Sequence, residues 1–567
     1  MIRIRLLTAT ALAALVAAPL AAQTFDPARL ARHVRTLSSD AFEGRAPATP
    51  GEQKTVDYIV RELRAAGLQP GGDLKDGKRQ WTQAVPLLKS DIVGPARLVL
   101  RTPAGVEPLT QGEQIAVRAP LNGQTQIRLT EAPLLFLGYG VTAPERQWDD
   151  FKTADVRGKI ILVLVNDPDF EGAATDPLRG DFGGKAMTYY GRWTYKFEEA
   201  ARRGAAGVLV VHETAAASYG WATISNSNAV FDIVRADPAS RHTPIQGWIH
   251  RDTAAAVFRS AGLDFEAAKQ AARRRDFQPV DLKAGLTVSL DAKRETSVSY
   301  NVVGLLRGTR RPDETILYTA HHDHLGIGKP DANGDKIFNG AIDNATGTAQ
   351  LIEQGRAFAR RPRTARSVVF LAVGAEEQGL LGAEYYVANP LYPLGKTVAV
   401  LNTDSLGVFG PARNFGIAGS ARLDLLDALI AEGTRRGRTY SGDPRPEAGS
   451  FFRSDHFAFA KAGVPAISWR AGTDLVNGGN ERGMALLGDY TAKRYHQPDD
   501  EYLPSWDFTG IAQDAALLHA VGRDLANSAD WPNWSEDSEF RAVRDQSGGE
   551  RQAAPPPATP PAKGERG

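Results

Sequence analysis

The sequence predicts an α/β fold: a mixed, mainly parallel sheet flanked by helices, with a smaller β-rich unit inserted ahead of it. Three observations predict it. From Ser297 onward, apolar strand-like runs alternate with periodic helix-like runs. The strand runs are continuously apolar rather than alternating, which marks strands covered by helices on both faces. Residues 126–285 carry a second set of short apolar runs with a different character.

The bulk properties set the frame. At 567 residues the chain is too long for one ordinary domain. An apolar fraction of 42% supplies cores, and 23% charged residues is ordinary for a globular chain. Lys and Arg number 67 against 66 Asp and Glu, with no long basic run, so no bulk charge selects nucleic acid or an anionic membrane as partner. There is no cysteine. Disulfides and thiolate metal sites are excluded, and any metal must be held by His, Asp and Glu.

Taken in order, the first element is a secretory signal over 1–22. Arg3 and Arg5 form a basic start, Leu6 to Leu20 is apolar and Ala-rich, and Ala21-Ala22 precede Gln23 as the cleavage point. The apolar stretch is short for a bilayer span of ~20 residues. The expectation is a periplasmic or secreted protein with no membrane anchor after cleavage. Residues 23–125 form the first part of the main domain. There Glu52–Leu68 reads as an amphipathic helix, with Val56, Ile59, Val60 and Leu63 on one face and Gly67 ending it.

In the insert, 126–285, strands are expected at Leu134–Gly138, Gly158–Val165 and Gly207–Val211, with a helix at Lys196–Arg203 closed by Gly204. The main domain resumes over 286–530. Strands are expected at Val298–Leu306, Thr315–Ala320, Ser367–Val373, Thr397–Asn402 and Ala466–Trp469. Helices are expected at Ala345–Ala359, Gly379–Val387, Arg422–Glu432 and Phe508–Leu525. Residues 531–567 are expected as a disordered tail, Pro/Ala-rich from Arg551.

Five segments carry chemistry. His321-His322-Asp323-His324 follows one expected strand, Glu376-Glu377 a second and Asp404 a third. Asp343 lies in the loop before a helix, and His496 in the loop Tyr495–Asp499. In open α/β sheets ligands bind beyond the carboxyl ends of the strands, so groups far apart in sequence converge there. Imidazole and carboxylate at one focus suit zinc, and several acids together repel unless a cation neutralises them. A shared carboxylate would set two ions ~3.5–4 Å apart.

Each residue taken alone has a plainer reading. His321 could be a satisfied strand-end histidine, and His322 and His324 solvent-facing or supporting groups. Glu376-Glu377 could be a solvated helix start, Asp343 a helix cap, Asp404 a turn former, and Asp455 the start of a helix capped by Ser454. The joint pattern carries the case.

At these residues the sequence resembles the M28 family of zinc peptidases, which includes bacterial leucyl aminopeptidases and glutamate carboxypeptidase. The pieces are AHHDHLG (Ala320–Gly326), GAIDNATG (Gly340–Gly347), AEEQGLLGAEYYV (Ala375–Val387), LNTDSLG (Leu401–Gly407), SDHFAFAKAGVPA (Ser454–Ala466) and YHQPDD (Tyr495–Asp500). They stand in the family's order and spacing. Ser38–Leu68 resembles the start of the family's catalytic domain. The insert, with GKIILVLVNDP and KFEEAARRGAAGVLVV, resembles a protease-associated (PA) domain, which in such enzymes shapes substrate access.

The resemblance implies a phosphorylase/hydrolase-like zinc exopeptidase fold and two Zn2+ ions. His321 and Glu377 would hold one ion, Asp404 and His496 the other, and Asp343 would bridge. Asp323 would hydrogen-bond His321, Glu376 would be the general base acting on a metal-activated water, and the Asp343–Asn344 peptide would be cis. Ile342, Thr346 and His322 depart from the family's usual Asp, Ser and Tyr, none at a ligand position.

The implied substrates are peptides with a free N-terminus. The alternatives are a carboxypeptidase or dipeptidase of the same family, a single-zinc cyclase of glutaminyl-cyclase type, or a receptor-like binding protein. The full ligand set argues against the last two.

Overall fold

The computed structural model describes residues 25–172, 176, 178, 180–225 and 229–551. The expected signal segment and the stretch from 552 lie outside the described residues.

Helix α1 (Pro27–Leu37) opens on Asp26, whose carboxylate accepts the N–H of Ala28 at 2.9 Å, with Pro27 pre-setting the first turn. It buries Leu30, Val34 and Leu37. Helix α2 (Pro50–Ala65) contains the predicted amphipathic face but starts two residues earlier, capped by Thr49, because proline is tolerated in a first turn. A 21-residue strand β1 (Thr82–Thr102) follows.

The insert is an α/β unit in its own right. Strands β2 (Gln126–Phe136) and β3 (Ile160–Leu164), helix α3 (Trp193–Arg202), and strands β4 (Gly207–His212) and β5 (Ile245–His250) build it, and the four strands run parallel in that order. Alternate residues feed two cores. Ile160, Leu162 and Leu164 join Phe258 on one face, while Ile161 and Val163 join Phe197 and Ala200 of α3 on the other.

The 27-residue strand β6 (Val280–Leu306) links the insert to the main domain. It pairs antiparallel with β2 near its start, with the strand Arg366–Val373 near its end, and with β1 along its length. The expected boundary at 285 therefore falls inside one strand. Sequence reading found only its end, Val298–Leu306, because Asp291, Lys293, Arg294 and Glu295 interrupt the apolar pattern in its middle. Asp291 to Val298 is mostly solvent-exposed, as suits a twisted two-stranded ribbon.

The main domain then alternates as expected. Its elements are β7 (Arg311–His321), α4 (Thr346–Ala359), β8 (Arg366–Val373), α5 (Leu381–Ala388), β9 (Thr397–Thr403), β10 (Asn414–Ile417), α6 (Asp424–Arg435), α7 (His456–Lys461), β11 (Ala466–Ala471), α8 (Gly479–Lys493) and α9 (Thr509–Asn527). The order across the sheet is β10-β11-β9-β7-β8-β6. The four central strands are parallel, and β6 and β10 run antiparallel at the two sides.

Both sheet faces are buried. Ile316, Tyr318 and Ala320 of β7 pack with α1, α4 and α9, while Leu317 faces the core shared with α5 and α7. That two-sided burial is why these strands read as unbroken apolar runs.

The expected disordered tail 531–567 is corrected over 531–551. Trp534 and Phe540 are buried in the main core, the Trp534 indole donates to Gly463 O at 2.9 Å, and Arg544 donates to Thr397 O at 3.0 Å. The Pro/Ala bias in composition begins only at Arg551, and the aromatics before it bury enough surface to order their segment.

One buried junction ties α1 to α4. Glu353 accepts from Arg29 Nε at 2.9 Å and stands 3.4 Å from His33 Nε2. Burial alone would raise its carboxyl, but the contacts with His33 and Arg29 hold it at about 2 against an ordinary 4.5. A depressed acid stabilises the fold above its unfolded value and loses that contribution as pH falls through the folded value. Glu353→Gln should therefore lower the melting temperature at neutral pH. The gap to wild type should narrow between pH 4.5 and 2, as pH-resolved thermal melts would show; a gap constant over that window would refute the assignment.

Candidate metal centre

The candidate residues stand where strand ends and loops meet above the carboxyl edge of the parallel strands. His321 is the last residue of β7, Glu376 and Glu377 follow β8 within a few residues, and Asp404 directly follows β9. Asp343 sits in the kinked turn Ala341–Ala345 that opens α4, and His496 in the loop after α8.

The local backbone is unusual. Ala375, Ser405 and His496 adopt left-handed conformations, with φ of 57°, 51° and 58°. Non-glycine residues occupy that region rarely and at some cost, and here each is, or adjoins, a candidate ligand or the candidate base Glu376. The Asp343–Asn344 peptide is cis, as the resemblance implied. Gly340, at φ 51°, has no room for a side chain, because a Cβ would lie 2.2 Å from Asp343 O and 2.5 Å from the His324 ring.

The structure brings all five expected ligands together around one carboxylate. Asp343 Oδ1 lies 3.2 Å from His321 Nε2, and its Oδ2 lies 3.3 Å from His496 Nε2. His321 Nε2 is also 3.2 Å from Asp404 Oδ1, and His496 Nε2 is 3.2 Å from Glu377 Oε2. These contacts differ from the implied pairing: His321 goes with Asp404 and His496 with Glu377, not the reverse. β7 lies between β9 and β8, so strand adjacency alone allows either partner; the contact distances at the strand ends decide for Asp404. Glu377 and Glu376 each also offer an oxygen within 4.8 Å of ligand atoms around His321, but the closest contacts give the pairing stated. Glu376 Oε2 stands 4.0 Å from His321 Nε2, outside the tight contacts.

Asp323 departs from its expected role. Its carboxylate is 3.8 Å from His321 Nδ1. Its hydrogen bonds come instead from the backbone N–H groups of Glu376 and Glu377, at 3.1 and 3.3 Å. It therefore fixes the turn that aims the two glutamates, while its backbone carbonyl lies 3.3 Å from His321 Nδ1.

His324 takes the supporting one of its two plainer readings, whereas Asp500, Asn344 and Arg45 had no role expected from the sequence. His324 contacts Glu377 Oε1 through Nδ1 at 2.7 Å and is fully buried. Asp500 accepts the N–H groups of Ile342 and Asp343 at 3.0 Å each, and so holds the turn that carries the central carboxylate. It lies within the YHQPDD segment, so a signal was available. Asn344 spans from the Asp343 turn to the end of β9, donating to Thr403 O and accepting from Ser405 N. Arg45 is buried and donates to four backbone carbonyls, those of Leu37, His322, Asn339 and Gly340, at 2.6–2.9 Å. No local pattern announces such a residue.

The electrostatics ask for a cation. Burial pulls His321 down, but the charges of Glu376 and Asp404 and contacts with Asp343 and Asp404 push it well above the usual histidine range. Burial likewise opposes His496, yet Asp343 and Glu377 raise it to about 10. Burial pushes Glu376 well above the ordinary carboxyl value; His321 opposes this, and Glu377, Asp404 and Asp455 add to it. Asp455 is fully buried, and neither of its oxygens has a hydrogen-bond partner among the described residues. Two imidazoles set among three carboxylates, each drawn toward its charged form by them, form a donor cluster whose excess negative charge a metal cation would balance. The donor set of two imidazoles and three carboxylates without thiolate fits zinc.

Residues 301–519 match the family model described as Peptidase family M28. Over 490 residues the chain is 24% identical to an aminopeptidase of Pseudomonas aeruginosa, covering 84% of this chain and 75% of that one. It is 34% identical over 133 residues to the aminopeptidase NAALADL1 of Mus musculus, covering 22% of this chain and 16% of that protein. It is 28% identical over 239 residues to a probable zinc metalloprotease of Pyricularia oryzae, covering 41% and 46%. The matches thus span less than half the length of the mouse and fungal relatives. Among solved structures, an aminopeptidase from Aneurinibacillus sp. strain AM-1 aligns at 19% identity with a TM-score of 0.46, covering 89% of this chain and 95% of that one.

Proposed function

We propose, from the premise that residues 301–519 are a peptidase family M28 domain, that this chain is an exported zinc-dependent aminopeptidase with two metal ions. The observation that carries the reading is Asp343, whose two carboxylate oxygens each meet a different imidazole. In this reading His321 and Asp404 would hold one ion, His496 and Glu377 would hold the other, and Asp343 would serve both. Such a pair, when bound, lowers the pKa of a shared water and polarises the scissile carbonyl.

Glu376 takes the proton of the attacking water and returns it to the leaving amine. Its burial among carboxylates, which lifts its proton affinity, suits that exchange. Asp323 and His324 orient the glutamates, and Asp500 and Asn344 hold Asp343 in place.

The name of the Pseudomonas relative supports the amino-terminal direction of attack. We read the insert as a protease-associated domain that shapes access, because Trp193, Phe197 and Glu198 help wall the cleft that reaches Glu376, Glu377 and His496. Export rests on the signal-like residues 1–22. Among the described residues no helix is long and apolar enough to cross a membrane.

The test is a panel of amino-acid anilides with free or blocked α-amine, assayed with chelator and after zinc re-addition. Hydrolysis of free-amine substrates alone, lost on chelation and restored by zinc, is expected. Turnover that survives full metal removal, or that ignores the blocking group, would refute the reading.

A further inference from the structure

The cleft that opens on Glu376, Glu377 and His496 encloses about 380 Å³ between the main domain and the insert. Most cations lining it are matched by anions. Arg235 donates to both oxygens of Asp232 at 2.8 and 2.9 Å, and His242 Nε2 meets the same carboxylate at 2.9 Å. Arg241 and Lys461 share Glu198 and Glu384, at 3.2 and 3.6 Å and at 3.3 and 2.5 Å.

Three arginines in the same wall are not matched. Among the described residues no carboxylate lies within ion-pair distance of Arg118, Arg192 or Arg453, and no acceptor takes a hydrogen bond from their guanidinium groups; Arg192 Nε is buried with no partner. The same three line an adjoining hollow of about 330 Å³. Trp193 steadies two of them, with the Arg118 and Arg192 guanidinium carbons 5.2 and 5.9 Å from its ring centre. Burial pulls Arg118 and Arg192 down to about 10, and the charge of Arg453 adds to the fall at Arg192. The charge of Asp232 favours the Arg118 cation from beyond ion-pair distance, but none of the three guanidinium groups has a carboxylate in contact, and a bound carboxylate would supply one.

We propose that Arg118, Arg192 and Arg453 form a carboxylate subsite in the cleft, so that the preferred substrates are short peptides carrying a carboxylate as well as the scissile bond. The inference rests on the peptidase reading above and names its substrate class. The carboxylate could be the peptide's C-terminus or an acidic side chain, and guanidinium groups hold either in the same way.

The zinc-loaded enzyme is assayed for kcat/KM on Leu-Ala against Leu-Ala amide, which isolates the C-terminal carboxylate. Leu-Glu amide against Leu-Gln amide isolates a side chain after the cut, and Glu-anilide against Gln-anilide one before it. The acidic member of at least one pair should win by on the order of tenfold, the value of a charge-assisted hydrogen bond. That preference should collapse toward one in Arg192→Gln and in Arg453→Gln. Arg453 is exposed, and its side chain makes no hydrogen bond or ion pair among the described residues, which spares the fold.

The same pairs are titrated by calorimetry into zinc-loaded Glu376→Gln protein. A binding preference without hydrolysis in the wild type would sink the peptidase reading and keep the subsite. Hydrolysis with all three pairs treated alike, or a preference that both variants leave intact, would overturn the subsite.

Discussion

Glu376→Gln protein is expected to bind two zinc ions per chain and to turn over at least about a thousand times more slowly than wild type, within the range a positioned proton-transfer group supplies. The geometry behind this is specific. Glu376 stands next to Glu377, yet the two play different parts. Glu377 makes contacts of 2.7 and 3.2 Å with His324 and His496, while the nearest imidazole to Glu376 is 4.0 Å away.

Asp323 separates the two by holding both backbone N–H groups, so that one side chain enters the ligand cluster and the other stays free beside it. Glutamine preserves the shape and removes the ability to take a proton. Metal stoichiometry by mass spectrometry and kcat on a free-amine anilide are read on the same sample. Activity within a few fold of wild type would remove Glu376 from the proton-transfer role. Loss of metal along with activity would make it a ligand instead.

Asp343→Ala should have the larger structural effect. One carboxylate faces both imidazoles, so its removal should deplete both ions, whereas Asp404→Ala should deplete mainly the one shared with His321. A ligand that binds only the folded state stabilises it by about 4 kcal/mol at a thousandfold excess over Kd. The zinc-dependent rise in melting temperature should therefore vanish in Asp343→Ala and persist in part in Asp404→Ala. An Asp343→Ala protein that still carries two ions would defeat the bridging assignment. Equal loss in both variants would defeat the pairing of His321 with Asp404.

The contrast between what was legible and what was not follows the range of each interaction. Elements buried on both sides, such as β7, β8, β9 and β11, announce themselves, because nearly every side chain in them must be apolar. Helix α8 does not: it buries little beyond Gly483 and Tyr490, so no apolar stripe marks it. The ribbon of β1 and β6 is hidden for the same reason, since much of its middle faces solvent. The buried Trp534 and Phe540 lie in a segment whose local composition gives no hint of what they pack against.

By itself the sequence determined the residue types that a metal centre needs and their placement after strands, because His321, Glu376, Glu377, Asp404, Asp343 and His496 are local features of strand ends and loops. Tertiary structure alone decided which imidazole meets which carboxylate, that Asp323 braces the glutamates' turn, that Arg45 and Asp500 pin the loops, and that Arg118, Arg192 and Arg453 share one wall. Those are distances between residues tens to hundreds of positions apart. They depend on strand order and on the insert's docking, which no local pattern of side chains encodes.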